Sequence, residues 1–292
     1  MHLLEVGVLS KLAMAVVTTR KPVRVLSATA HPTDLARSMA HAQSTALERF
    51  FALSTRVHPA LAGECSNSDD QCIRAGRDNS AVIQSLYDEL RLANPEAGMP
   101  YWSVRCWTLL IWQPAVLVLV GVHGAGILPP LDELRQKAGK QMVAGFRFPA
   151  DSEWETGSQA ALIQRGGAAL RWFCDSLLAE LREITRIKPL SALRLVADSL
   201  MAGVSRLSEL CPDLSQADQL ALADAWLAAT GLENQSALMA LPLPDGRTPL
   251  VLDRKACCMH YRRHDGDLCA TCPKLKPSVR IERLKQELTD YA

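Results

Sequence analysis

Several features that would assign a function at first sight are missing from this sequence. Charge of neither sign is in excess: 32 Lys and Arg against 31 Asp and Glu leave a formal net charge of +1. That excludes a general nucleic-acid binder, whose phosphate contacts demand a basic surface. A nucleotide cradle is missing too. Gly121-Val122-His123-Gly124-Ala125-Gly126 has the glycines, but in the order G-x-x-G-x-G and with Pro129-Pro130 immediately after, whereas a dinucleotide fingerprint is G-x-G-x-x-G opening a helix. The segment reads as a loop and His123 as a loop or core histidine. Met1-His2-Leu3-Leu4-Glu5 forms no basic n-region and no clear cleavage site follows, so no secretory leader is expected. An unbroken membrane span is also lacking: Cys106 to Val122 is almost wholly apolar, but it falls short of the roughly 20 residues a bilayer requires and Gln113-Pro114 interrupts it. A buried core element is expected there, with weak membrane association as the alternative. No internal repeat or low-complexity tract occurs.

What is present describes an ordinary globular protein, 292 residues long, 48% hydrophobic and 22% charged, enough for one large domain or two modest ones. The cysteine count is nine. An odd number, five of them scattered, fits a reducing compartment, and a cytoplasmic location is expected. Cys65 and Cys72 flank a polar segment and read as reduced thiols on a loop; Cys106, Cys174 and Cys211 read as small core hydrophobes.

Apolar periodicity predicts helices over Leu35–Leu53, preceded by Thr33-Asp34, and over Ala81–Leu92, stopped by Asn94-Pro95. The 106–122 run is expected to be a helix broken or kinked at Pro114, although Ala115–Val120 also looks strand-like. Leu128–Arg135 and Met142–Phe148 are strand candidates joined by a turn at Lys137–Lys140. Residues 151–167 read as a polar loop running into a short helix, before a strong helix at Ala168–Arg186 and further helices over Ser191–Leu207 and Gln216–Ala229, the last ended by Thr230-Gly231. The stretch through Arg24 reads as mixed helix and strand. Leu241-Pro242-Leu243-Pro244-Asp245-Gly246-Arg247-Thr248-Pro249 is the strongest punctuation and reads as a semi-rigid spacer, followed by a strand at Leu250–Asp253 and a closing helix at Pro277–Leu288. The expected class is α+β: a mostly helical body with a small antiparallel sheet over residues 1–240, a Pro/Gly linker over 241–249 and a cysteine-rich C-terminal module over 250–292.

That module holds Cys257, Cys258, Cys269 and Cys272, a C-C-x10-C-x2-C pattern with Pro273 after it. Four thiolates so close together point to a metal. A hairpin tipped by Asp265-Gly266 would bring them to one end. Zinc fits four thiolates, but its usual knuckles are C-x(2 to 4)-C on both sides. Neighbouring residues on an extended strand face opposite ways, so a vicinal pair reaches one site only if the backbone kinks. A two-iron cluster tolerates more widely spread ligands. Either group remains open on spacing alone.

The residues Arg254-Lys255-Ala256-Cys257-Cys258-Met259-His260-Tyr261-Arg262, then Cys269-Ala270-Thr271-Cys272-Pro273, resemble the C-terminal module of the FhuF-like ferric-siderophore reductases. The resemblance is close over about the last forty residues. It implies a [2Fe-2S] cluster on Cys257, Cys258, Cys269 and Cys272, which carry catalysis through that cluster, and one-electron reduction of siderophore-bound Fe(III) to Fe(II). The implied partners are a ferric siderophore and an external donor such as a ferredoxin, a flavin or a reductase. Around the cysteines Arg254, Lys255, Arg262 and Arg263 crowd positive charge, with Lys274, His260 and His264 nearby. They are the candidate substrate-binding residues for an anionic complex, attracting it over about 8 Å. Trp102, Trp107 and Trp112 read as core. The alternatives are a structural-zinc scaffold and a [2Fe-2S] electron carrier without a siderophore site.

Overall fold

The computed structural model describes residues 32–68 and 71–290, with side chains from residue 43 onward. The stretch through Arg24 lies outside the described residues. Chain order is α1 (Pro32–Val57), β1 (Gly63–Cys65), β2 (Cys72–Ile73), α2 (Ser80–Ala93), α3 (Gly98–Leu119), a π-helical turn (Val120–Ala125), β3 (Ile127–Leu128), β4 (Arg135–Gly139), β5 (Met142–Phe148), β6 (Glu155–Thr156), α4 (Gln159–Ile184), α5 (Pro189–Val204), α6 (Leu207–Leu210), α7 (Gln216–Ala229), β7 (Ala237–Ala240), β8 (Leu250–Asp253) and α8 (Pro277–Asp290). The class is α+β, mostly helical with small sheets. The largest sheet has the order β1-β5-β4-β2, antiparallel except where β1 runs parallel to β5.

Helix α3 is the axis of the body. Its residues from Cys106 to Leu119 are almost all buried, and α2, α4 and α5 pack around it. The segment is long and apolar enough to cross a membrane by composition, but here other helices take the place of lipid. The indole of Trp107 donates to the Ala192 carbonyl of α5 (2.9 Å), that of Trp112 to Val143 of β5 (2.9 Å) and that of Trp102 to Asn94 (2.8 Å), so all three tryptophans fasten the frame.

Of the break or kink expected at Pro114, the break does not occur: α3 continues through it. A proline has no N–H to offer the carbonyl four residues earlier. That carbonyl, on Leu110, accepts instead from Gln136 Nε2 of β4 at 2.9 Å. Ala115–Val120 is therefore helical, and Gly121–Gly126 is a π-helical end with Gly126 at φ 75° rather than a free loop. His123 in that turn accepts from Trp226 Nε1 (2.9 Å) and faces the Gln159 amide (2.8 Å); burial lowers its pKa to about 4.

Other boundaries move for identifiable reasons. The hairpin runs β4–β5 with its turn at Lys140-Gln141, not at 137–140, and the Leu128–Arg135 strand is replaced by short β3, a turn and the start of β4. Gln141 takes φ 58°, held by its N–H to Glu89 Oε2 (2.7 Å). Helix α4 begins at Gln159, capped by Ser158, so the short helix expected at the end of 151–167 and the strong helix expected after it are one continuous element. Gly166 and Gly167 sit inside it because α7 crosses there: a Cβ on Gly167 would lie 2.4 Å from that of Ala229. Cys65 and Cys72 stand on opposite edge strands of a four-stranded sheet, with two strands between them, and no disulfide forms among the described residues.

Residues 241–249, expected as a spacer, form the connection of the β7–β8 hairpin, closed by Ala240 opposite Leu250 and by Leu241 N–H to the Pro249 carbonyl (2.9 Å). Both strands of that hairpin pack on α5. A small apolar cluster of Leu241, Leu243, Val251, Ala270 and Leu284 lies beneath the cysteine segment, separate from the main core.

Candidate metal centre

Strand β8 delivers the chain to the cysteines, and Asp253 at its end pairs with Arg280 of α8 (2.8 Å). Beyond it there is no strand and so no cysteine hairpin; residues 254–276 form bends and tight turns. The kink required by a vicinal pair is present. Met259 adopts φ 59°, ψ 9°, and a 3-10 turn over His260–Arg262 follows. The Met259 N–H points back at Cys257 Sγ (3.4 Å). Gly266 does not serve through positive φ as a hairpin tip would; it is small where the chain passes over itself, since a Cβ there would lie 2.1 Å from the His260 carbonyl oxygen. Across the C-x2-C half, Cys272 N–H donates to the Cys269 carbonyl (2.9 Å).

These turns bring the four sulfurs together in two facing pairs, each with one member from either half of the motif. The Cys258 thiol donates to Cys269, and the Cys272 thiol donates to Cys257. Cys272 is buried and the other three are half-exposed. Among the described residues no group of three His, Cys, Asp or Glu side chains closes on a single ion. Four thiolates gathered in this way are a donor set that suits a two-iron cluster.

The surroundings favour negative charge on Cys269. The hydrogen bond from Cys258 is the main cause that lowers Cys269 to about 5; burial opposes it, and Arg254 and the Thr271 hydroxyl assist. The same hydrogen bond and burial push Cys258 upward. Arg254 Nη1 lies 3.9 Å from Cys269 Sγ, and its Nε pairs at 3.3 Å with Asp198 Oδ2 of α5. Burial alone would lower the Arg254 pKa, but Cys258, Asp198 and Cys269 reverse the shift and raise it. Asp198 is 1% exposed; it accepts from Ser236 Oγ (2.7 Å) and from the backbone N–H of Ala256 (3.3 Å). Burial raises its pKa against Arg254 and these donors. One carboxylate of the body thus holds both a side chain and the backbone that leads into the vicinal cysteines.

The four expected substrate-binding cations have different placements. Arg254 is turned inward. Lys255 is exposed, with Nζ on the Asn234 carbonyl (2.6 Å). Arg262 Nε bonds the Ala97 carbonyl at the start of α3 (2.6 Å), and Arg263 pairs with Asp265 (2.8 Å). Lys274 lies 5.3 Å over the Tyr261 ring, and His264 Nδ1 meets Glu96 (3.1 Å). Much of this basic crowding therefore fastens the module to α3 and to itself. Asp198 was not found in the sequence reading, yet a carboxylate within the buried Leu195–Met201 stripe of α5 was a signal for it, because a lone charge on an apolar face needs a partner.

No solved structure matches the chain. Residues 254–274 match the family model of the FhuF 2Fe-2S C-terminal domain, which covers the vicinal pair, the C-x2-C pair and Arg254. With a donor set that suits two iron atoms, residues 254–274 form a segment of the FhuF 2Fe-2S C-terminal type, and its cofactor is a [2Fe-2S] cluster.

Proposed function

We propose that the protein is a ferric-siderophore reductase, using Cys257, Cys258, Cys269 and Cys272 as cluster ligands. When bound, the cluster supplies one electron at a time. Added to chelated Fe(III), that electron gives Fe(II), which anionic oxygen ligands hold far less well. The observation that carries this reading is the FhuF-type module with three of its cysteines half-exposed, so that a large chelate outside the protein is within electron-transfer reach. The exposed Lys255, Arg262, Lys274 and His264 offer charge to an anionic complex, with Arg263 beside them; Arg254 belongs to the cluster side. The electron donor is a separate ferredoxin, flavin or reductase in a reducing, cytoplasmic compartment.

The test is anaerobic. The full chain should be coloured, bleach on reduction, and in the reduced form transfer iron from a ferric hydroxamate or catecholate to a ferrous trap in single turnover. A colourless protein with stoichiometric zinc rejects the reading outright. Bleaching and reoxidation by other acceptors, with no ferrous iron from any ferric chelate, makes it an electron carrier instead.

A further inference from the structure

Helix α3 meets the module at its first turns. Arg262 bonds the Ala97 carbonyl just before it, and the Tyr101 ring, 2% exposed, lies 6.5 Å from that of His260. Arg105 is one turn further along, and side chains four apart share a helix face, so the face carrying Tyr101 under the module also carries Arg105. Its charge is felt by Cys258 and Tyr101, which favour its cationic form against burial. Among the described residues no carboxylate pairs with Arg105. The neighbouring acids are taken: Glu96 by His264 and Asp265 by Arg263. Arg254, by contrast, is offset by Asp198. Arg105 is half-buried; a guanidinium stays charged at any working pH, and even partial burial favours a counter-charge beside it. The thiol pair that includes Cys258 is the anionic group on offer.

We propose that Arg105, on the helical body and far outside the cysteine motif, is the uncompensated counter-cation of the [2Fe-2S] cluster on its Cys258 side, and that it raises the cluster's reduction potential. Reduction by an external one-electron donor adds one negative charge to the cluster and breaks no bond. A fixed positive charge nearby favours that form, and Arg254, already neutralised by Asp198, does so less. Arg105 is a positioning residue here: it acts through the cluster and does not touch substrate. The inference rests on the cluster reading above and assigns the control of its potential.

The experiment uses the full chain, reconstituted anaerobically and titrated with dithionite and redox dyes, with visible absorption and electron paramagnetic resonance as readouts. Arg105→Gln should lower the midpoint, so that at the wild-type midpoint the reduced-to-oxidised ratio falls about tenfold, ~59 mV for one electron. Arg105→Lys, which keeps the charge, should recover most of the shift. A ratio within about twofold of wild type in Arg105→Gln overturns the proposal, as does an equal shift in both variants, since shape rather than charge would then be at work. If Arg105→Gln loses the cluster, retention at the wild-type midpoint by Arg105→Lys supports the assignment, and loss in both overturns it. Absence of a [2Fe-2S] spectrum in the wild type would instead refute the cluster reading itself.

Discussion

At the scale of single residues the site depends on side chains far from the motif. Asp198 accepts from Arg254, Ser236 and the Ala256 backbone while almost fully buried. Removing one member of a buried charged pair strands the other, at about 3 kcal/mol or more. Asp198→Ala should lower the free energy of urea unfolding, followed by far-ultraviolet circular dichroism, by about 3 kcal/mol. Asp198→Asn, which keeps an acceptor oxygen, should cost less than half of that. Equal stability in both variants and wild type would mean that the pair contributes nothing net. The cysteines themselves were legible in the sequence because their spacing is local. Asp198 and Arg105 were not, since their partners in the module lie on a distant stretch of chain and nothing in local pattern joins them.

At the scale of elements, helix periodicity found most of the helices and missed where backbone needs are met from elsewhere. Pro114 is a local signal for a break, and Gln136 cancels it from another strand. An unsatisfied buried carbonyl costs about 1–3 kcal/mol, so Gln136→Met should destabilise the native chain by about 2 kcal/mol. In a Pro114→Ala background the helix regains its own donor, and the same change should cost less than half as much, a coupling a double-mutant cycle in urea would measure. Identical costs in both backgrounds would separate the glutamine from the proline. The β4–β5 turn was misplaced because Gln141, which carries the positive φ, has none of the usual turn chemistry, whereas Lys137–Lys140 contains a glycine. Residues 241–249 have the composition of a linker and the geometry of a hairpin loop, and composition alone does not distinguish the two.

For the whole molecule, the contrast between the two apolar clusters matters most. The body has an extensive core around α3, while the module rests on Leu241, Leu243, Val251, Ala270 and Leu284 with Met239 and Leu288. So small a cluster does not stabilise a fold alone, and units of this size usually depend on a metal. Removing the cluster by chelation under reducing conditions should therefore open the module and leave the body folded. Limited trypsin digestion should then cut at Lys255 and Lys274 at least tenfold faster than in the loaded protein, with helical circular dichroism changed by less than about a tenth. Uniform loss of helix on chelation would show instead that body and module unfold together. The α+β class and the location of the metal-binding segment were readable from sequence; the dependence of that segment on the body was not, because it is written in tertiary contacts.

The Asp198 anchor also bears on biogenesis. Asp198 is translated before any of the four cysteines, and α5 must be packed before its carboxylate can receive Arg254 and the Ala256 amide. Segments nearer the N-terminus fold first during synthesis. On that order the four cysteines would be gathered against a surface already formed, and the module would be the last part of the chain to take shape.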